Sequence, residues 1–315
     1  TGTLLASGTI EARGNAGKGG TVQLLGEQVG LTGHARVDVS GAAGGGTALL
    51  GGDYLGTGAQ QAARTFISPD AVIHADATGD GNGGRVIVWS NDYTGFYGTI
   101  SARGGGPSGN GGFVETSSHN FLQASGTVNA GAANGSAGTW LLDPSDIAIV
   151  SGSAGVLAGG IFDPTGASGS IGDTEINAAL NATTDVIIRT AGGTVGSGDI
   201  TVNTGVAISN TGGGARTLTL EADRSIITAG TSSMSATGSG NTLGVVLNSN
   251  HDATVDGAIF LTGLTINTNG GDVLMGGGVG AAGNAIGTVH VFRTAPGPFS
   301  SKEIALLQTF ADQAV

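Results

Sequence analysis

The sequence predicts an all-β fold, a parallel β-helix (solenoid) of roughly 27-residue coils with a short C-terminal α-helix. Three observations carry this. Over residues 98–142 one short pattern occurs twice, as G-T-I-S-A then G-G-F-V-E-T, and again as G-T-V-N-A then A-G-T-W-L-L. Apolar residues of like kind return at alternate positions along the chain, the period of a strand and not of a helix. Glycine supplies 63 of 315 residues, yet hydrophobic residues reach 39% and charged residues only 11%, which is a folded and not a disordered composition. Collagen is excluded, because there are only 6 prolines and no strict three-residue period.

Each coil is read as three strands, numbered here as faces 1, 2 and 3. Face 1 supplies Ile10, Val37, Ile73, Ile100 and Val128, each followed two residues later by Ala12, Val39, Ala75, Ala102 and Ala130. The intervals are 27, 36, 27 and 28 residues. Face 2 supplies Val22, Ala48, Val86, Val114 and Trp140, then Leu24, Leu50, Val88, Thr116 and Leu142. Stacked at one strand spacing per coil, such columns make a continuous core. The intervening residues of face 1 (Glu11, Asp38, His74, Ser101, Asn129) share no chemistry and are expected to meet solvent. Face 3 is less regular, with Val29 and Leu31, Phe66 and Ile67, Phe96, Phe121 and Leu122 as its expected inward residues. The long interval places an insertion at 51–69, read as a surface loop standing off the rod.

The pattern gives three segments: regular coils over 1–144, less regular coils over 145–285, and a tail of strand and amphipathic helix over 286–315. After Asp143-Pro144 come a strand at 147–150, a loop through Pro164, and a short helix near 173–181. Asp173 or Thr174 can cap that helix, and Ile176, Ala179 and Leu180 fall on one side of it. Coils resume through 186–188, 200–202, 218–220, 245–247 and 273–275. Together they predict roughly ten coils, a rod about 50 Å long at one strand spacing per coil.

The block GGTVQLLG at 19–26, the run Gly51-Gly52-Asp53-Tyr54, Asn82-Gly83-Gly84 before Val86, and Leu141-Leu142-Asp143-Pro144 together carry a resemblance. Residues 1–285 resemble the repeat region of filamentous-haemagglutinin-like exoproteins, the adhesins exported by two-partner secretion. The resemblance implies a right-handed parallel β-helix, export through an outer-membrane transporter, and a role in adhesion or biofilm at the bacterial cell surface. The secretion domain of that family is not among these residues, and Thr1 falls inside the repeat, so a mature fragment is expected. The tail segment GPFSSKEIALLQTFADQAV is similar to the C-terminal end of a GAF domain, where a last strand feeds the final helix. Only that end is present, and no sensing function is carried over. In it Ser300 and Glu303 form a capping box, and Phe299 can staple onto Ile304. Ile304, Leu307 and Ala311 share a helix face with Phe310 beside them, so these residues and Phe299 are the candidate self-association contacts.

A net charge of −12 argues against nucleic acid or an anionic membrane as partner. Cysteine is absent, so thiol chemistry and disulfides are out. The run 14–21 (GNAGKGGT) places Gly19 after Lys18 where a phosphate-binding loop needs Ser or Thr, and reads as a coil turn. Asp76, Asp80 and Asn82 could offer oxygens to calcium, but their spacing matches neither an EF-hand nor the nonapeptide calcium repeat. The histidines are scattered, and no nucleophile elbow occurs. A polysaccharide-cleaving β-helix needs carboxylates clustered within reach of one sugar, and the outward columns show no recurring acidic pair. The expectation is a non-enzymatic, cofactor-free structural or adhesive module, secreted, self-associating into fibres and meeting a glycan or protein receptor. Glycan binding or cleavage is the alternative.

Overall fold

The computed structural model describes residues 2–277 apart from 59, 107, 166–167, 193–194 and 253–255. The tail at 286–315, with Phe299, Ile304, Leu307, Phe310 and Ala311, lies outside the described residues. The chain forms a parallel β-helix whose coils pass from face 3 to face 1 to face 2, except after Ile147–Val150, where the chain returns to face 3. Face 2 is a sheet of nine parallel strands, from Thr21–Leu24 to Val273–Gly277. Its central column runs Val22, Ala48, Val86, Val114, Trp140, Val186, Leu218, Val245 and Val273 in strict register. All are buried except Val273 on the last described strand. The face 1 column, Ile10, Val37, Ile73, Ile100 and Val128, is paired as expected. Burying each such Val or Ile contributes about 1.5–3 kcal/mol. Trp140 is the largest fully buried side chain. Its ring stands edge-on to Phe96, 6.3 Å between centroids, and its indole N–H donates to Thr116 Oγ1 at 2.9 Å.

Face 3 departs from expectation in its register. The inward columns are Val29, Thr65, Thr94, Leu122 and Leu31, Ile67, Phe96, Ala124. Phe66 therefore shares an outward row with Gly30, Gly95 and Gln123, where it packs on Tyr97 with 5.7 Å between centroids. Phe121 pairs with Tyr93 on the outward side as well. Thr65 and Thr94 tolerate the core because their hydroxyls donate to the carbonyls of Trp89 and Ser117, at 2.7 and 2.8 Å.

The chain also lays down face 3 out of order. The strand Ile147–Val150 does not sit beside Phe121–Ala124. Ser170–Gly172, which comes later, fills the place between them. The intervening segment runs back across the outside of face 3. Gln123 Nε2 and Ser125 Oγ donate to the carbonyls of Ala154 and Gly155, at 2.8 and 2.6 Å. The Leu157 N–H donates to Tyr97 Oη at 3.4 Å, and Arg64 Nη1 donates to Phe162 O at 2.8 Å while pairing with Asp163. The segment is thus a strap across successive coils. Phe162 lies over Gly30, where a Cβ would stand 3.2 Å from its ring.

On face 1 the five strands ending at Thr127–Asn129 are followed by the helix α1, Asp173–Asn181, and then by three more strands from Ala207–Asn210 on. A helix is about 10 Å across, the height of two strands. This matches the two strands, Ser170–Gly172 and Ile147–Val150, that face 3 places at the same level. Ile176, Ala179 and Leu180 enter the core, as expected. The cap does not follow expectation: Gly172 holds the N-cap position and Asp173 lies inside the first turn. Its carboxylate has another task. Asp173 accepts from the Ala207 N–H at 2.8 Å. Asn177 donates to Ala207 O and accepts from the Ser209 N–H, at 3.0 and 2.7 Å. Asn181 donates to Ser209 O and accepts from the Thr211 N–H, at 3.3 and 2.8 Å. Residues four apart on a helix rise about 6 Å and residues two apart on a strand about 6.6 Å. Three side chains therefore supply the row of donors and acceptors that a neighbouring strand would have offered.

Candidate functional site

The insertion differs from its expected form. Arg64–Ile67 belongs to the face 3 sheet, so the excess lies within residues 51–63. It does not stand off the rod but lies on the outside of face 2. A 3-10 turn at Tyr54–Gly56, capped by Asp53, puts the Tyr54 ring edge-on to Phe113, with centroids 5.7 Å apart. Arg85 pairs with Asp53 at 3.0 Å and stacks over Tyr54, 5.5 Å from its centroid. Trp89 packs against the insertion backbone, where a Cβ on Gly52 or Gly56 would come within 2.7 or 2.4 Å of its indole. Leu49, Ile87 and Trp89 form a small apolar cluster under this cover, with Phe113 at its edge.

Beneath the cover lies Glu115, fully buried and in the same outward row as Leu49, Ile87 and Leu141. Both its carboxylate oxygens face the Leu55 N–H, at 3.2 and 3.4 Å, and Leu55 adopts the left-handed conformation (φ 51°) that aims it there. Burial pushes Glu115 up to about 7, against the pull of that hydrogen bond and of Arg85, with nearby Asp143 adding to the rise. Asp143, one coil on, is pushed up to about 6 by burial, although Arg189, His251 and His119 oppose it. Its Oδ1 has no hydrogen-bond partner. Arg189 is held by Glu221 at 2.6 Å on the next coil. The two most perturbed carboxyls are therefore neighbours, and the protein covers both.

The face 1 row expected to meet solvent is half covered by its own ion pairs. Asp38 is 2% exposed, with Arg36 at 2.7 Å, Arg13 at 3.6 Å and the Ser40 N–H at 2.9 Å. Asp76 receives the Ser101 hydroxyl, the Arg103 N–H at 2.7 Å and its guanidinium at 2.8 Å. Burial pushes both carboxyls up, but these hydrogen bonds prevail and hold them below the ordinary range. Arg36 reaches Asp38 from two residues away on the same strand, whereas Arg13 and Arg103 reach Asp38 and Asp76 from the adjoining coil, one strand spacing of about 4.8 Å away. The calcium candidates are engaged in the same way, Asp80 by the Ser108 hydroxyl and Asn82 by the Asn110 N–H, at 2.7 and 2.9 Å. Among the described residues no three His, Asp or Glu side chains are grouped to hold a metal.

A cleft of about 370 Å³ opens at the corner between faces 1 and 2. Its floor is a column of glycines. A Cβ on Gly84 would stand 2.3 Å from Gly46 O, one on Gly112 2.4 Å from Gly84 O, and one on Gly138 2.4 Å from Gly112 O. Coil stacking thus excludes side chains here and leaves bare backbone. One wall is the row Thr47, Arg85, Phe113 and Thr139, in register over four coils. Lys18 and Asn82 also line it. Lys18 is exposed, and among the described residues it has no ion-pair partner. A second cleft, about 610 Å³, lies beside Arg103 and the C-terminal end of α1, where Asp76 and Arg103 neutralise each other.

No family model matches the chain, and no curated protein matches it either. The fold defines the class, a parallel β-helix, and the site must be argued from its own chemistry.

Proposed function

We propose that the chain is a non-catalytic structural and adhesive module of a secreted fibre protein of the bacterial cell surface or extracellular matrix. One observation carries the reading: the two carboxyls whose pKa is raised into the range of a general acid are buried out of a substrate's reach. Glu115, beneath the insertion, and Asp143, one coil on, have pKa values that suit a general acid, and both are buried. On face 1 Asp38 and Asp76, themselves buried, are held ionised, Asp38 by Ser40 and by Arg36 of its own strand and Asp76 by Ser101 and Arg103 of the adjacent coil. What remains on the outside is a long, regular surface suited to display and contact. Export through an outer-membrane transporter, a glycan or protein receptor, and end-to-end self-association through Phe299, Ile304, Leu307, Phe310 and Ala311 belong to this proposal.

Electron microscopy of the purified chain, together with an assay for reducing and unsaturated ends released from pectin-like glycans, tests it. Rods or fibres with no released ends are expected. Globular particles, or sugar release, would overturn it. Deleting residues 299–315 should shorten the particles seen by light scattering if the tail joins neighbouring copies.

A further inference from the structure

We propose that the glycine-floored cleft at the corner of faces 1 and 2 binds an acidic polysaccharide, with Lys18 and Arg85 taking its carboxylates and Phe113 a sugar face. The inference rests on the adhesive reading and names the ligand of that surface.

Charge is the first argument. The chain has 23 Asp and Glu against 11 Lys and Arg, yet no carboxylate lines this cleft and two cations do. Asp53 engages Arg85 only through Nη2, at 3.0 Å. A guanidinium has five N–H donors, so others remain for a ligand, and Lys18 brings three more. Shape is the second. Side chains are excluded from the floor by the stacking distances at Gly84, Gly112 and Gly138, so a flat ring can approach the backbone closely. Phe113 presents an aromatic ring at the rim, braced from behind by Tyr54. Length is the third. The wall residues repeat at the strand spacing, and Thr47 to Thr139 spans three intervals, about 14 Å. An extended chain with regularly placed carboxylates fits such a row, whereas a single small anion would use one rung of it. The hydroxyls of Thr47 and Thr139 and the amide of Asn82 supply hydrogen-bond partners for sugar hydroxyls.

The test uses the full chain and polygalacturonate as probe, with neutral dextran as control, by titration calorimetry at low and high salt. Binding of polygalacturonate alone, weakened by salt, is expected. Lys18→Glu and Thr139→Glu, both at outward positions, should each weaken it about tenfold or more while circular dichroism stays unchanged. Equal binding of dextran, no binding of polygalacturonate, or full affinity in a folded Lys18→Glu variant would each overturn the assignment. Rods without affinity for polygalacturonate would refute this cleft and leave the fibre reading standing. Globules or sugar release would refute the fibre reading whatever the affinity.

Discussion

Replacing Glu115 with glutamine should stabilise the protein at neutral and alkaline pH. The carboxyl is fully buried, and its value is raised from 4.5 to about 7. A group raised in the folded state contributes stability that is fully present below its unfolded value and is lost as pH rises through the folded one. For Glu115 the window runs from 4.5 to about 7, and at about 1.4 kcal/mol per tenfold the loss above it is about 3 kcal/mol. Asp143 has the same sign over 3.8 to about 6. Asp38 and Asp76 have the opposite sign and titrate below this window. His74, lowered mainly by its burial and by Arg36, works against the trend on acidification, but a comparison of variant with wild type cancels it. Glutamine keeps an acceptor for the Leu55 N–H and cannot ionise. Thermal melts at about pH 5 and about pH 8 should show the variant gaining several degrees over wild type at the higher pH and little at the lower. A glutamine variant less stable than wild type by the same amount at both pH values would mean that Glu115 is ionised in the fold, and the covering argument would fail.

Three further outcomes are expected. Ile100→Asp places an unpaired charge between Ile73 and Val128 and should unfold at least the adjacent coils, whereas Ser101→Ala removes one hydrogen bond to Asp76 and should cost about 1 kcal/mol in denaturant melts. Asn177→Leu leaves the carbonyl of Ala207 and the N–H of Ser209 without their partner in α1, and should lower stability by about 1–3 kcal/mol, also read by denaturant. Joining Gly51 directly to Ala62, whose N–H already meets Gly51 O at 2.5 Å, should preserve the β-rich circular dichroism spectrum. It should also uncover Ile87 and Trp89, raising binding of a hydrophobic dye and lowering the melting midpoint.

The inward columns of faces 1 and 2 were legible because alternation and a near-constant period suffice to place them. Face 3 is not legible at Phe66 and Phe121: bulk suggests an inward position, yet both point outward, where Phe66 is buried by its neighbours. The row of Phe66 also holds Gly30 and Gly95, gaps covered by Phe162 of the strap at Gly30 and by Tyr93 and Tyr97 at Gly95. The buried Glu115 had a signal of its own. Leu49, Ile87, Leu141 and Ile187 make an outward row too apolar to face water, so something had to lie over it. Period alone does not say which strand neighbours which once the chain leaves it, and the exchange of Ile147–Val150 with Ser170–Gly172 was not readable. Nor was the role of Asp173, Asn177 and Asn181, because a polar stripe on a helix ordinarily reads as a solvated face.

The exchanged strands bear on how the molecule is built in time. A solenoid can grow by adding each coil to the one before, every new strand finding its template finished. Here growth can proceed that way through Gly138–Leu142. The next strand, Ile147–Val150, emerges with an empty place between it and the finished sheet, and it has no neighbour until Ser170–Gly172 arrives to fill that place. Assembly from the N-terminal side therefore halts for about one coil's length of chain, then closes two levels together as α1 docks. The early coils are a folding unit that can be complete before the later ones begin. A chain pulled from its C-terminus would unwind the later coils singly and meet its strongest resistance where the two strands interlock.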